Sequence, residues 1–118
     1  MLILVRHGRT AANAEGRLQG RLDLDLDEVG ERQAAAIAAL VRSRSRIDAV
    51  ISSPLKRAQQ TAARFELPYE VDEQWIELAY GVYEGEPSAA ISSEAWARWR
   101  DDPAFVPEGG ESLLTLDE

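Results

Sequence analysis

The chain has 118 residues, 45% hydrophobic and 29% charged, the make-up of one soluble globular domain and not of a disordered tail or a fibre. With no cysteine and one histidine, His7, it excludes disulfides, thiol chemistry and multi-histidine metal centres. A net charge of −8 argues against nucleic acid or an anionic membrane as partner, and the apolar run Leu2 to Val5 is too short for a membrane span, so the cytoplasm is the expected location.

Met1 to Val5 is rich in branched apolar residues and reads as a buried strand of a mostly parallel sheet, broken at Arg6-His7-Gly8. Residues 9–26 read as a polar loop punctuated by Gly16 and Gly20. Asp27 is a good N-cap for a helix running to about Arg42, with Val29, Ile37, Leu40 and Val41 on its inner face. Ile47 to Ile51 predicts a second buried strand. Ser53 as N-cap and Pro54 at the first helical position open a second helix, with Leu55, Ala58, Ala62 and Phe65 facing inward. Pro68 ends it, and Tyr69 to Val71 is a short third strand. A third helix is predicted over Ser93 to Arg100, with Trp96 and Trp99 on adjacent turns as core residues, before Pro103 stops it. Pro107 to Ser112 is a turn, and Ser112 resembles the opening of another helix. The order β-loop-α-β-α-β predicts an α/β fold with a parallel sheet flanked by helices.

Of the 13 basic residues, all but Lys56 are arginine. The planar guanidinium suits bidentate recognition of phosphate, but the same bias follows from a GC-rich genome, so positions must decide. In an open parallel sheet ligands bind beyond the carboxyl ends of strands. The first strand delivers Arg6-His7-Gly8-Arg9-Thr10 there, and the second delivers Ser52-Ser53-Pro54 with Arg57 one turn into its helix. Arg6 and Arg57 could then grip a phosphate from two sides with His7 between them. Cationic neighbours favour the neutral imidazole, which keeps a lone pair and is a nucleophile toward a phosphoryl group. Phosphoryl transfer asks mainly for alignment and charge stabilisation, which guanidiniums supply without a metal. Taken singly, His7 reads as a structural hydrogen-bonding residue, and Arg6 and Arg57 as solvated charges. Their coincidence at strand ends favours the site.

The string Leu4-Val-Arg-His-Gly-Arg-Thr10 resembles the signature of the histidine phosphatase superfamily, also called phosphoglycerate mutase-like. The resemblance continues through Asn13, Gly16-Arg-Leu-Gln-Gly20, the helix start Leu26 to Ala34, Ser52 to Ala62, Glu77-x-x-x-Gly81-x-x-Glu-Gly85 and Pro107-Glu-Gly-Gly-Glu-Ser112. It implies a three-layer α/β/α fold and a phosphomonoester hydrolase of the small phosphatase branch, acting on a small phosphorylated metabolite and needing no cofactor. It implies that His7 is the nucleophile that becomes phosphorylated, that Arg6 and Arg57 bind the phosphoryl group, and that Asn13 touches phosphate. Gln19 and Gly20 match the loop that covers the substrate. Glu77 matches the general acid and base, a role that calls for burial or neighbouring negative charge to keep it protonated. Its bland reading is a loop carboxylate, and Glu84 is the rival for the acid.

Two departures qualify the resemblance. Where mutases of the family carry a substrate-reading lysine, this chain has Ser88, and Arg98-Trp99-Arg100 only echoes their paired arginines. Tyr83-Glu84-Gly85 is closer to the Trp-Glu-Gly of the small phosphatases, so hydrolysis is favoured and mutase-type transfer is the alternative. The family's second histidine, in a later His-Gly turn, has no counterpart in these 118 residues. The expectation is therefore that residues 1–118 are the N-terminal portion of a single histidine phosphatase domain, incomplete at the C-terminus and weak or inactive alone. A non-catalytic phosphate-binding or interaction domain is the other outcome. The apolar edge at Met1 to Val5 and the Trp96/Trp99 pair leave room for a homo-oligomer.

Overall fold

Helix formation is clearest after Asp27. Its side chain accepts the Gly30 N–H at 2.7 Å and opens a 17-residue helix, Glu28–Arg44, with Glu28 and Glu31 in the first turn and Arg42 and Arg44 in the last, as the helix dipole favours. A computed structural model describes residues 1–116. In chain order the elements are α1 (Ala11–Ala14), α2 (Glu28–Arg44), β1 (Val50–Ser52), α3 (Lys56–Ala63), β2 (Tyr69–Val71), α4 (Ser93–Asp101) and α5 (Leu113–Leu116), with 3₁₀ turns at Glu73–Trp75, Gly81–Tyr83 and Ser88–Ala90. The described residues divide into two compact units, one of residues 1–11 and 23–76, the other of residues 12–22 and those from Glu77 onward.

In the first unit β1 and β2 pair in parallel, Val50 opposite Tyr69 and Ser52 opposite Val71, joined by α3 as a parallel crossover requires. The α/β character is as expected, but the sheet has two strands among the described residues. Met1 to Val5 is not the buried strand anticipated: it lies outside the sheet, and all five side chains are exposed. An apolar run is buried only where neighbours cover both its faces, which composition cannot report. The second strand is Val50–Ser52 instead of Ile47 to Ile51, and Ile51 is exposed.

The inner faces of the helices also differ from the apolar count. On α2 the buried residues are Gly30, Ala34 and Ala38, while Leu40 is exposed. Small residues win because backbones meet here: a Cβ on Gly30 would run into the Arg9 backbone, and one on Gly8 into the Gly30 carbonyl. On α3 the expected Leu55, Ala62 and Phe65 are buried, joined by Arg57 and Thr61. The helix begins at Lys56, not at Pro54. The Ser53 hydroxyl accepts the Leu55 N–H in the preceding turn, and the Lys56 N–H is capped by Asp23 from 33 residues upstream at 2.7 Å.

In the second unit Ser92 caps α4, its hydroxyl accepting the Ala95 N–H at 3.1 Å. Trp99 packs against Tyr80, Tyr83, Trp96 and Phe105 with ring centroids 5.2–5.6 Å apart. Trp99 is half-buried at the centre of this cluster and Trp96 is exposed, so of the expected pair only Trp99 packs inward. The opening expected at Ser112 is realised by α5, and Ser112 itself is buried. No helix among the described residues is long and apolar enough to cross a membrane.

The Asp27 cap makes part of the stability pH-dependent. Its carboxyl is held below the ordinary aspartate range, first by the Gly30 N–H, against partial desolvation, with the Arg9 guanidinium and the Val29 N–H assisting. A carboxyl more acidic when folded stabilises the fold fully above its unfolded value, about 3.9, and loses that contribution as pH falls through its folded value. Asn also caps helices, so Asp27→Asn isolates the charge. Its urea midpoint should lie below the parent's at pH 7, and the two should converge below about pH 3.9; a constant gap would contradict this account.

Candidate active site

The peptide after His7 is fixed on two helices at once. The Gly8 N–H donates to Thr61 Oγ1 at 3.0 Å, and that hydroxyl donates to the Arg57 carbonyl at 2.8 Å, one turn back in α3. Arg9 is tied to α2: its N–H donates to Gln33 Oε1 at 2.9 Å, its Nε to Asp27 at 2.7 Å, and its carbonyl accepts the Asp27 N–H at 3.0 Å. Thr10 and Leu26 close the turn with an antiparallel bridge. Thr61 is the link between the histidine and the arginine helix. Its signal in the sequence is its place four residues after Arg57, on the same face of α3.

His7 is half-buried, and its Nδ1 lies 2.7 Å from the Gly8 carbonyl oxygen. A carbonyl oxygen can only accept, so Nδ1 carries the proton in this contact. In the neutral ring the remaining lone pair then belongs to Nε2. Arg57 is only 3% exposed, which removes the reading of a solvated helix residue. Arg6 is exposed. Arg6, His7 and Gly8 also border a groove of about 390 Å³ whose other walls include Ile3, Val5, Ala34, Ile37 and Val41. That groove is largely apolar, with Arg6, His7 and Gln33 as its polar side chains.

The remaining anticipated residues belong to the second unit. Asn13 is half-buried on α1, and Gln19 and Gly20 are buried. Gly20 has a φ of +53°, and a Cβ there would stand 2.5 Å from Glu84 Oε1 and 2.8 Å from Tyr80, so this turn needs glycine. Glu77 is exposed, its Oε1 accepting the Leu78 N–H at 2.9 Å, so burial does not supply the environment expected of an acid. The Glu84 carboxylate instead holds backbone, Oε1 accepting the N–H groups of Arg21 and Tyr80 at 3.0 Å each. The Glu77 to Gly85 segment is pinned to the Pro107 to Ser112 turn: the Val82 N–H donates to the Glu108 carbonyl and the Glu111 N–H to the Ala79 carbonyl, both at 2.9 Å. Gly81, with φ +58°, admits that approach, since a Cβ would strike the Glu108 carbonyl. Among the described residues no three His, Asp or Glu side chains gather as a metal ion requires.

This arrangement of motifs has a family. Residues 2–118 match the family model of the histidine phosphatase superfamily, branch 1. The chain belongs to that superfamily. It is 38% identical to the glucosyl-3-phosphoglycerate phosphatase of Mycolicibacterium vanbaalenii, over 98% of this chain and 54% of that protein. It is likewise 38% identical to phosphoserine phosphatase 1 of Hydrogenobacter thermophilus, over 98% of this chain and 58% of that protein. Among solved structures, the mycobacterial glucosyl-3-phosphoglycerate phosphatase in complex with VO3 superposes with a TM-score of 0.82 at 35% identity, covering 93% of this chain and 58% of that one. The chain thus spans little more than half the length of these relatives. The fold is that of the phosphoglycerate mutase-like proteins, a parallel sheet flanked by helices.

The Thr61 link is testable by stability. Thr61→Val keeps the shape but leaves the buried Gly8 N–H without its acceptor, a loss of about 1–3 kcal/mol. Thr61→Ser retains the hydroxyl and should recover most of it. Equal unfolding midpoints for Thr61→Val and the parent would show that the hydroxyl holds nothing.

Proposed function

We propose that the protein is a phosphomonoester hydrolase that works through a phosphohistidine on His7. The observation that carries this reading is the 2.7 Å contact of His7 Nδ1 with the Gly8 carbonyl, which leaves Nε2 as the nucleophilic nitrogen on an anchored peptide. Nε2 attacks phosphorus, the bond to the ester oxygen breaks, and Glu77 gives its proton to the leaving alkoxide. Glu77 then takes a proton from water as that water attacks the phosphohistidine, releasing inorganic phosphate and restoring both groups. Arg6 and Arg57 bind the transferred phosphoryl group and offset charge that builds on its oxygens. Asn13 contacts phosphate, and Gln19 and Gly20 cover the substrate.

The substrate class is a small phosphorylated metabolite, in keeping with relatives named for glucosyl-3-phosphoglycerate and phosphoserine. Hydrolysis is favoured over mutase-type transfer by the contacts at three positions. Ser88 offers no cation, and its hydroxyl donates to the Gly16 carbonyl at 2.6 Å. The Arg98 guanidinium lies over the Phe105 ring at 4.3 Å, and Arg100 pairs with Asp101 at 3.1 Å. Both arginines therefore have local work.

In the full-length protein, His7→Ala should abolish turnover and the incorporation of acid-labile phosphate. Glu77→Gln should slow hydrolysis of an alkyl phosphate by about 10²–10⁴-fold, the usual contribution of a general acid. It should still label His7 from an ester with a good leaving group. Parental turnover by His7→Ala would end the phosphohistidine reading.

A further inference from the structure

Glu77 stands on backbone held by a knot of charged side chains, none of which the proposed chemistry uses. Arg21 Nε donates to the Glu77 carbonyl at 3.1 Å, and Arg21 Nη2 donates to both oxygens of Glu111 at 2.9 Å. Glu111 Oε2 also accepts the Ala79 N–H at 3.3 Å, while the Glu111 N–H donates to the Ala79 carbonyl at 2.9 Å. Glu84 Oε1 accepts the Arg21 and Tyr80 N–H groups. The carbonyl of residue 77, both polar groups of residue 79 and the N–H of residue 80 are thereby fixed by two carboxylates, one guanidinium and one peptide.

The Glu77 side chain itself is exposed, and among the described residues its carboxylate accepts the N–H of the next residue. Its aim therefore depends on the backbone beneath it. Misplacing a reacting group by about 1 Å costs on the order of 10²-fold in rate. The same knot reaches the turn expected to cover the substrate, because Arg21 directly follows Gly20, and Glu84 and Tyr80 pack where a Gly20 side chain would be.

We propose that Arg21 is a positioning residue, which together with Glu84 and Glu111 holds Glu77 in its working orientation and joins its loop to the Gln19-Gly20 turn. The proposal rests on the reading of Glu77 as the general acid. It also gives Glu84 a role of its own, as a clip for two backbone donors.

The test compares two esters with the full-length protein: p-nitrophenyl phosphate, whose leaving oxygen needs little protonation, and β-glycerol phosphate, whose alkoxide needs it fully. Arg21→Met keeps the aliphatic stem and removes the side-chain hydrogen bonds. Its kcat on β-glycerol phosphate should fall roughly tenfold or more, a part of a general acid's full contribution. The rate of the first turnover on the aryl ester, read as the burst of p-nitrophenol or as His7 labelling, should stay within about threefold, and Arg21→Lys should recover part of the loss. Damage to proton donation spares a good leaving group in the first step, whereas the water attack that follows is common to both esters. Equal losses in the first turnover of both esters, or no loss on either, overturn the positioning role while leaving the phosphatase reading intact. Absence of turnover and of His7 labelling in the parent overturns that reading and this inference with it. Should Arg21→Met fail to fold, Glu111→Gln removes the charge that Arg21 pairs with, and the same selective loss on the alkyl ester is the expected result.

Discussion

The close approach of two backbones at Gly8 and Gly30 governs the first unit. Neither position has room for a Cβ, so the chain leaving His7 can lie directly against the first turn of α2. From that contact the rest follows. The Arg9 carbonyl reaches the Asp27 N–H, Arg9 reaches Asp27 and Gln33, and the Gly8 N–H is left facing Thr61 on α3. Gly8 and Arg9, which follow a segment outside the sheet, are bonded to two helices. The anchoring bears on the role we propose for His7, because holding a reacting group in place can supply a large share of a rate enhancement.

The acidic composition has a structural use. Carboxylates accept backbone N–H groups throughout both units: Asp23 from Lys56, Asp27 from Gly30, Asp72 from Gln74, Glu84 from Arg21 and Tyr80, Asp102 from Ala104, and Glu111 from Ala79. Each caps a helix or clips a loop that has no ladder of its own. The resulting charge of −8 opposes an anionic substrate at long range. Salt screens that opposition beyond about 8 Å, so any phosphate the protein binds must be held by short-range donors. Arg57, buried at the start of α3, sits in a lower local dielectric than a solvated guanidinium, which strengthens the charge interactions it makes.

How much of this could be read beforehand depends on whether the cause was local. The start of α2 was legible because Asp27 and its Gly30 donor are three residues apart, and β2 because Pro68 and the next strand-forming residues bound it closely. The start of α3 was misread because its cap is Asp23, which no local rule connects to Lys56. The inner face of α2 is only partly legible from apolar size: Val29, Ile37 and Val41 are half-buried, Leu40 is exposed, and the fully buried positions are the small residues Gly30, Ala34 and Ala38. The short helix α1 went unseen within a glycine-punctuated stretch. Arg6, His7, Arg57 and Glu77 stood out through the ordered motifs of the superfamily. Thr61, Arg21 and Glu111 lay inside or beside those same motifs without a visible role, since the bond from Arg21 to Glu111 spans 90 residues.

The two carboxylates of the Glu77 to Gly85 segment show what geometry adds to a motif. Seven residues apart in one loop of an acidic chain, they are equivalent as residue types. Their surroundings separate them. Glu84 meets two N–H donors from different parts of the second unit, so turning it toward a substrate would break both bonds and leave two half-buried donors unmet. Glu77 meets only its neighbour's N–H and is exposed, so reorienting it costs little. A group that must deliver a proton and later collect one has to reach the reacting oxygen without dismantling its own support. That difference is why we propose Glu77 for the role; Arg21 and Glu111 hold the backbone beneath it.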